Sequence, residues 1–214
     1  MKIGILGTGI VGTTIGTKLV QLGHEVKMGS RTAGNQKALE WVKNNGSKAT
    51  QGTFSDSAGF GDIVFNCTSG KHVIDALKLA DEKNLKGKIL IDVSNPLDFS
   101  DGTLLLTVCN TDSLGEQIQR TFPDAKVVKT LNTVNCNVMV KPSLISGDHC
   151  LFISGNDPAA KAEATKILKE WFEWKSVIDL GDISGARAQE MLLPLWVKLM
   201  GIYNSPNFNF RIVR

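Results

Sequence analysis

Residues able to move a proton near neutral pH are scarce. Tyrosine occurs once and histidine three times in 214 residues, which leaves little material for a general acid or base. The four cysteines (Cys67, Cys109, Cys136 and Cys150) include no C-x-x-C pair. That supports neither a disulfide frame nor a zinc site, and reads as reduced thiols in a cytoplasmic protein. No apolar run approaches the roughly 18 residues that a bilayer span needs. The apolar start is broken by Gly4, Gly7 and Gly9 and is too short for a signal segment. A net charge of +3, with no run of basic residues, argues against nucleic acid or a membrane as partner.

What is present is alternation. A short apolar strand at Lys2–Leu6 leads into a helix with Val11, Ile15, Leu19 and Leu22 on one face, ended by Gly23. Glu25–Gly29 reads as a second strand, Asn35–Lys43 as a helix, and Lys48–Thr50 as a weak third strand. Asp62–Cys67 is a buried strand, with Val73, Ile74 and Leu77 marking the helix after it. Lys88–Asp92 is a fifth strand, stopped by Asn95-Pro96. Ser113 to Glu116 spells a capping box for a helix reaching Thr121, and Lys126–Thr130 is a sixth strand. Two more strands are expected at His149–Ser154 and Val177–Leu180. Asp157-Pro158 opens the helix between them, with Trp171 turned inward and Trp174 at its rim.

Strands alternating with helices predict an α/β fold of Rossmann type, a doubly wound and mostly parallel sheet covered on both faces. Residues 1–181 would form that domain, with two added strands, and 182–214 a C-terminal helix and tail. Ser184–Asn204 reads as one long helix kinked by Pro194. It is apolar on more than one side, so it is expected to carry a homodimer contact.

Glycine is concentrated where the first strand meets the first helix. Gly7-Thr8-Gly9-Ile10-Val11-Gly12 is G-x-G-x-x-G, with a strand before it and a helix after. Gly7 allows the tight turn, Gly9 lets the main chain approach a pyrophosphate, and Gly12 lets helix and strand pack closely. The helix N-terminus then offers free N–H groups and positive potential to the phosphates. The second strand chooses the dinucleotide. An NAD site places a carboxylate at its end, yet no acid occurs between Glu25 and Glu40, and the strand ends Met28-Gly29-Ser30-Arg31. A guanidinium beside a hydroxyl suits a 2′-phosphate, with Lys37 as a second charge, so the expected cofactor is NADP(H).

With these motifs in view, the chain resembles the coenzyme F420-dependent NADP oxidoreductase family over essentially its whole length. The resemblance rests on LGTGIVG at Leu6–Gly12, LGHEVKMGSR at Leu22–Arg31, DIVFNCTSGKHVID at Asp62–Asp75 and DISGARAQEMLLPL at Asp182–Leu195. VSNP at Val93–Pro96 and KTLNT at Lys129–Thr133 are similar to the cytosolic module of the six-transmembrane epithelial metalloreductases. The resemblance implies hydride exchange between NADP(H) and a deazaflavin (coenzyme F420) or a flavin (FAD or FMN). It places Thr8, Gly9, Ile10 and Val11 on the pyrophosphate, and Ser30 and Arg31 on the 2′-phosphate. Cys67, Thr68 and Ser69 would line the ribose and nicotinamide side, with Asn95, Pro96, Asn132 and Thr133 bordering the nicotinamide. Two positions depart from the family pattern: Ser69-Gly70 stands where a proline and a bulky aromatic are frequent, and Asn132 where histidine is.

No residue is identified as catalytic. Hydride exchange between two stacked cofactors needs proximity and exclusion of water more than a protein acid. A reductase of a small carbonyl or imine would need a donor, for which His72 stands nearest a strand end. A non-catalytic NADP(H)-binding redox sensor is the third reading. Arg187 either holds an anionic substrate or pairs with Glu190. Cys67 reads as strand packing, and Asp92 and Asp98 as turn residues.

Overall fold

In the computed structural model, which describes residues 1–214, the first half alternates strand and helix, with two helices between its last two strands. It runs β1 (Lys2–Leu6), α1 (Ile10–Gln21), β2 (Glu25–Ser30), α2 (Gln36–Asn45), β3 (Ala49–Thr53), α3 (Phe54–Phe60), β4 (Ile63–Asn66), α4 (Val73–Ala80), α5 (Glu82–Leu85) and β5 (Ile89–Asp92). A small hairpin, β6 (Leu97–Asp98) with β7 (Leu105–Leu106), follows. The second half runs α6 (Leu114–Thr121), β8 (Lys126–Thr130), α7 (Cys136–Val140), β9 (Cys150–Gly155), α8 (Pro158–Glu170), β10 (Ser176–Asp179), α9 (Ala186–Met191) and α10 (Leu193–Tyr203).

Eight strands form one sheet in the order β3-β2-β1-β4-β5-β8-β9-β10. Every neighbouring pair is parallel except β8 and β9, so the expected doubly wound, mostly parallel sheet is present. The chain winds outward from β1 to β3, then returns to β4 on the other side of β1. The C-terminal ends of β1 and β4 therefore flank a topological switch point, where a crevice opens. One core lies on the face covered by α1, α2 and α8, with Ile15, Trp41 and Phe172 in it. The other lies beneath α4 and α6, with Leu77 and Ile118.

Several elements differ from expectation. The third strand is Ala49–Thr53, and the helix after it was not foreseen. Thr53 and Asp56 form its reciprocal capping box, a T-x-x-D signal short enough to overlook. Seven residues suffice because α3 lies against bare main chain: Ser57 meets the Cβ positions of Gly4 in β1 and Gly29 in β2, and its single hydroxyl proton lies between the Lys27 carbonyl at 2.8 Å and the Ile5 carbonyl at 3.1 Å. Leu22, assigned to the inner face of α1, is exposed beyond the helix end. The two tryptophans exchange roles. Trp174 is 2% exposed because its indole N–H donates to the Met139 carbonyl at 2.8 Å, whereas Trp171 is half-buried and stacks on His24. The long C-terminal helix is two helices, broken at Leu192. Pro194 has no N–H to return to Glu190, so α9 stops and α10 restarts with proline in its first turn.

Candidate functional site

A cleft of about 760 Å³ lies over the switch point. Gly7, Thr8 and Gly9 line it from the β1–α1 turn, Ser30, Arg31, Thr32 and Asn35 from the end of β2, and Cys67, Thr68, Ser69 and His72 from the β4–α4 connection. Three loops that the sequence separates are thus joined by sheet topology alone. Phe54 and Asp75 also face the cleft, and neither was expected there.

The three glycines of the fingerprint can now be told apart. Gly7 has φ +120°, and a Cβ there would lie 2.7 Å from the Cys67 carbonyl oxygen, so turn geometry and packing both require glycine. At Gly12 a Cβ would strike the Gly7 carbonyl. Gly9 is different. Its φ of −78° suits any residue, and a Cβ would meet no protein atom within 4 Å. Nothing in the protein demands glycine at this position, which borders the cleft and caps α1. The helix behind it has no side-chain cap and no acid in its first turn, so no side chain of its own satisfies its amide end.

At the end of β2, Arg31 is exposed and forms none of the ion pairs of the chain. The buried Ser30 hydroxyl donates to the Thr32 carbonyl at 2.7 Å, so it must rotate to donate to a phosphate. The Gly34 amide is held by Gln51, which shapes the loop beyond Arg31. Lys37 lies in an adjoining depression with Thr8, Gly9, Ile10 and Thr13, beside the helix mouth and apart from the Ser30–Arg31 corner.

The residues expected to border the nicotinamide depart more from expectation: Asn95, Pro96, Asn132 and Thr133 do not line the cleft. Asn95 and Asn132 are bound to each other: the Asn95 amide donates to the Asn132 carbonyl and the Asn132 amide to Asn95 Oδ1, each at 2.9 Å. Both Asn132 and Thr133 are buried, and Asn132 Oδ1 has no partner. The Ser69-Gly70 departure has a packing reason. A side chain at Gly70 would fall on the Asn95 carbonyl, so the loops after β4 and β5 close on one another. His72 is at once the N-cap residue of α4 and a cleft residue. Burial pushes the Cys67 thiol up, with Asp92 adding to the shift, which leaves it a poor nucleophile.

Arg187 pairs with neither an open cleft nor Glu190. Its guanidinium donates to Glu116 of α6 from Nε at 2.8 Å, which holds the Glu116 carboxyl below its usual range. Glu190 turns inward instead, to Lys129. Asp92 makes the turn bonds expected of it, to the Ser94 amide and hydroxyl, but it is also fully buried, 2.8 Å from the Lys129 ammonium. Asp98 keeps its turn role, bonding Ser100, and pairs with Lys71.

A parallel sheet whose switch point carries G-x-G-x-x-G and a basic second-strand end defines the class of NADP-dependent oxidoreductases with a Rossmann-type domain. Residues 2–96 match the family described as "NADP oxidoreductase coenzyme F420-dependent". A crystal structure from Arthrobacter sp. FB24, named as a candidate F420-dependent NADP reductase, is 50% identical, with both chains covered in full and a TM-score of 0.94. The chain belongs to the coenzyme F420-dependent NADP oxidoreductase family.

More distant likenesses follow. Rat metalloreductase STEAP3 is 29% identical over an aligned length of 204 residues; the match covers 91% of this chain and 38% of that relative's length. A reductive aminase of Aspergillus terreus, in complex with NADPH and ethyl levulinate, shares the fold at 20% identity with a TM-score of 0.64, covering 95% of this chain and 62% of that one. No helix is long and apolar enough to cross a membrane.

Proposed function

We propose that the protein exchanges a hydride between NADP(H) and a deazaflavin or flavin acceptor. The observation that carries the cofactor half is Gly9: a glycine with ordinary backbone angles and open space where a side chain would go, at the uncapped head of α1. Such a position suits close approach by a pyrophosphate. The residues fit the cofactor. Gly7, Thr8, Gly9, Ile10, Val11 and Gly12 would form the phosphate cradle, with Lys37 adding charge at its flank. Arg31, unpaired within the chain, would take the 2′-phosphate together with Ser30. Cys67, Thr68, Ser69, Asn95 and Pro96 would form the ribose and nicotinamide side, which the buried Asn132 and Thr133 support from behind. When bound, the cofactor supplies the hydride; the chain binds it, orients it and limits water.

The acceptor half rests on family membership and on the poverty of the cleft in proton donors. His72 is the only histidine that lines it. That placement keeps a carbonyl or imine reductase in play, with His72 as donor. Mixing the protein with NADPH and, in turn, F420, FAD, FMN or a ketone–amine pair separates these readings. Loss of the NADPH absorbance with F420 or a flavin is expected. Turnover with the ketone–amine pair alone would favour His72 chemistry, and tight NADPH binding without turnover would favour a redox sensor.

The domain division after residue 181 and a homodimer formed through α10 belong to the same proposal. Leu195, Met200, Ile202 and Tyr203 are exposed on that helix, and its only buried residue is Leu193. Four free cysteines fit a cytoplasmic setting.

A further inference from the structure

Sheet register sets four polar residues side by side across the C-terminal ends of adjacent strands. Asn66 of β4 lies opposite Asp92 of β5, Asp92 opposite Lys129 of β8, and Lys129 opposite Ser154 of β9. All four are completely buried. Three hydrogen bonds saturate the Lys129 ammonium: Asp92 Oδ2 at 2.8 Å, the Ser94 carbonyl at 2.6 Å and Glu190 Oε1 at 2.8 Å. Burial opposes this charge, but the Asp92 and Glu190 carboxylates more than offset it and raise the Lys129 pKa. Glu190 also accepts the Leu114 and Gly115 amides at the head of α6, which ties the C-terminal segment to the row.

This row has a direction. Lys129 can only donate and the Asp92 carboxylate can only accept. Asp92 Oδ1 receives the Ser94 amide, the Ser94 hydroxyl and the Asn66 side-chain amide, the last at 2.7 Å. Asn66 must therefore present its nitrogen to Asp92 and its oxygen the other way. There it receives the Thr68 amide and, at 2.7 Å, the Thr68 hydroxyl. The single hydroxyl proton of Thr68 is thereby committed inward. What Thr68 can offer the cleft it lines is lone pairs.

We propose that the buried Glu190–Lys129–Asp92–Asn66 row is a positioning device that fixes the Thr68 hydroxyl as a hydrogen-bond acceptor for a sugar hydroxyl of the bound dinucleotide. The inference rests on the reading that this cleft takes NADP(H). It sorts the cleft into two chemistries. Phosphates, which accept, go to the α1 amides and Arg31, whereas a hydroxyl, which donates, goes to Thr68. A phosphate oxygen placed against Thr68 would face lone pair against lone pair.

The test is NADPH affinity by fluorescence titration, with the unfolding midpoint of each variant measured alongside. Thr68→Val removes the acceptor at constant shape and should weaken NADPH roughly tenfold. Thr68→Ser keeps the hydroxyl and should bind as the parent does. Asp92→Asn removes one acceptor from the row: a nitrogen toward Lys129 opposes the ammonium, and a nitrogen toward Asn66 opposes the Ser94 amide, flips Asn66 and reverses the Thr68 proton. It should lose at least as much affinity as Thr68→Val, and it should lose nothing further when Thr68 is already valine. Thr68→Val binding like the parent, or losses that multiply in the double variant, would overturn the relay while the cleft assignment stood. If Asp92→Asn does not fold, the Thr68→Val and Thr68→Ser pair decides. A parent protein that bound no NADPH would defeat the cleft assignment and the relay together.

Discussion

Replacing Gly9 with alanine separates what the fold needs from what the ligand needs. The added methyl meets no protein atom within 4 Å, and the backbone angles already suit alanine. Two small effects on stability then oppose each other. Alanine narrows the unfolded ensemble, a gain of about 0.4–1 kcal/mol. It is also a poorer N-cap than glycine, a loss of about 0.5–1 kcal/mol. The sum lies within about 1 kcal/mol of zero, which for a chain of this size moves the Tm by no more than about 4 °C. Binding should respond otherwise, because the methyl occupies the space into which a pyrophosphate would come. NADPH affinity should fall at least about tenfold, the equivalent of about 1.4 kcal/mol. Gly12→Ala is the control with the opposite signature: its methyl strikes the Gly7 carbonyl, an overpacking that costs about 1–3 kcal/mol. Differential scanning calorimetry and a fluorescence titration on the same two proteins give the comparison. A Gly9→Ala protein that bound NADPH unchanged, or that lost as much stability as Gly12→Ala, would refute the reasoning.

Other expectations concern charge and assembly. Arg31→Ala should weaken NADPH roughly ten- to a hundredfold through lost charge-assisted hydrogen bonds and leave NADH within about twofold, as titration of each nucleotide would show. The Arg187 guanidinium holds the Glu116 carboxyl below its ordinary value of 4.5. This pair therefore stabilises the fold above about pH 4.5 and loses its contribution as pH falls through the lowered folded-state pKa. Glu116→Gln should cost about 1 kcal/mol at pH 7 and flatten the acid limb of the stability curve; an unchanged acid limb would contradict the assignment. Ile202→Glu, on the exposed face of α10, should convert a dimer to monomers in sedimentation, and a parent that sediments as a monomer would remove that proposal.

Local periodicity and chain punctuation made most of the sheet legible. Lys2–Leu6 and Lys126–Thr130 have the expected bounds, and Asp157-Pro158 opens α8 as read. Two of the failures share a cause: each depends on what lies across space. Seven residues with an internal glycine do not propose α3; it exists because Gly4 and Gly29 clear room for Ser57 on the sheet. Trp174 is inside and Trp171 half outside because one indole N–H finds a carbonyl beyond the end of α8.

The cleft divides in the same way. Its phosphate side follows from a contiguous motif and the strand beside it. Its buried polar row was hidden, because a lysine in KVVKT reads as an outward residue and its carboxylate partner Asp92 lies 37 positions away. One signal was available: aligning the ends of DIVFN, KILID and KVVK puts Asn66, Asp92 and Lys129 at one level, where parallel register pairs them. Arg187 could not be placed from its own helix, since its partner comes from α6.

The decisive measurement is a calorimetric titration of the unmodified protein with NADPH and with NADH at one ionic strength. NADPH should bind with measurable heat and more tightly than NADH, by the share that Arg31 gives to the extra phosphate. Equal affinity for the two nucleotides, or no heat from either, would contradict the assignment of the cleft.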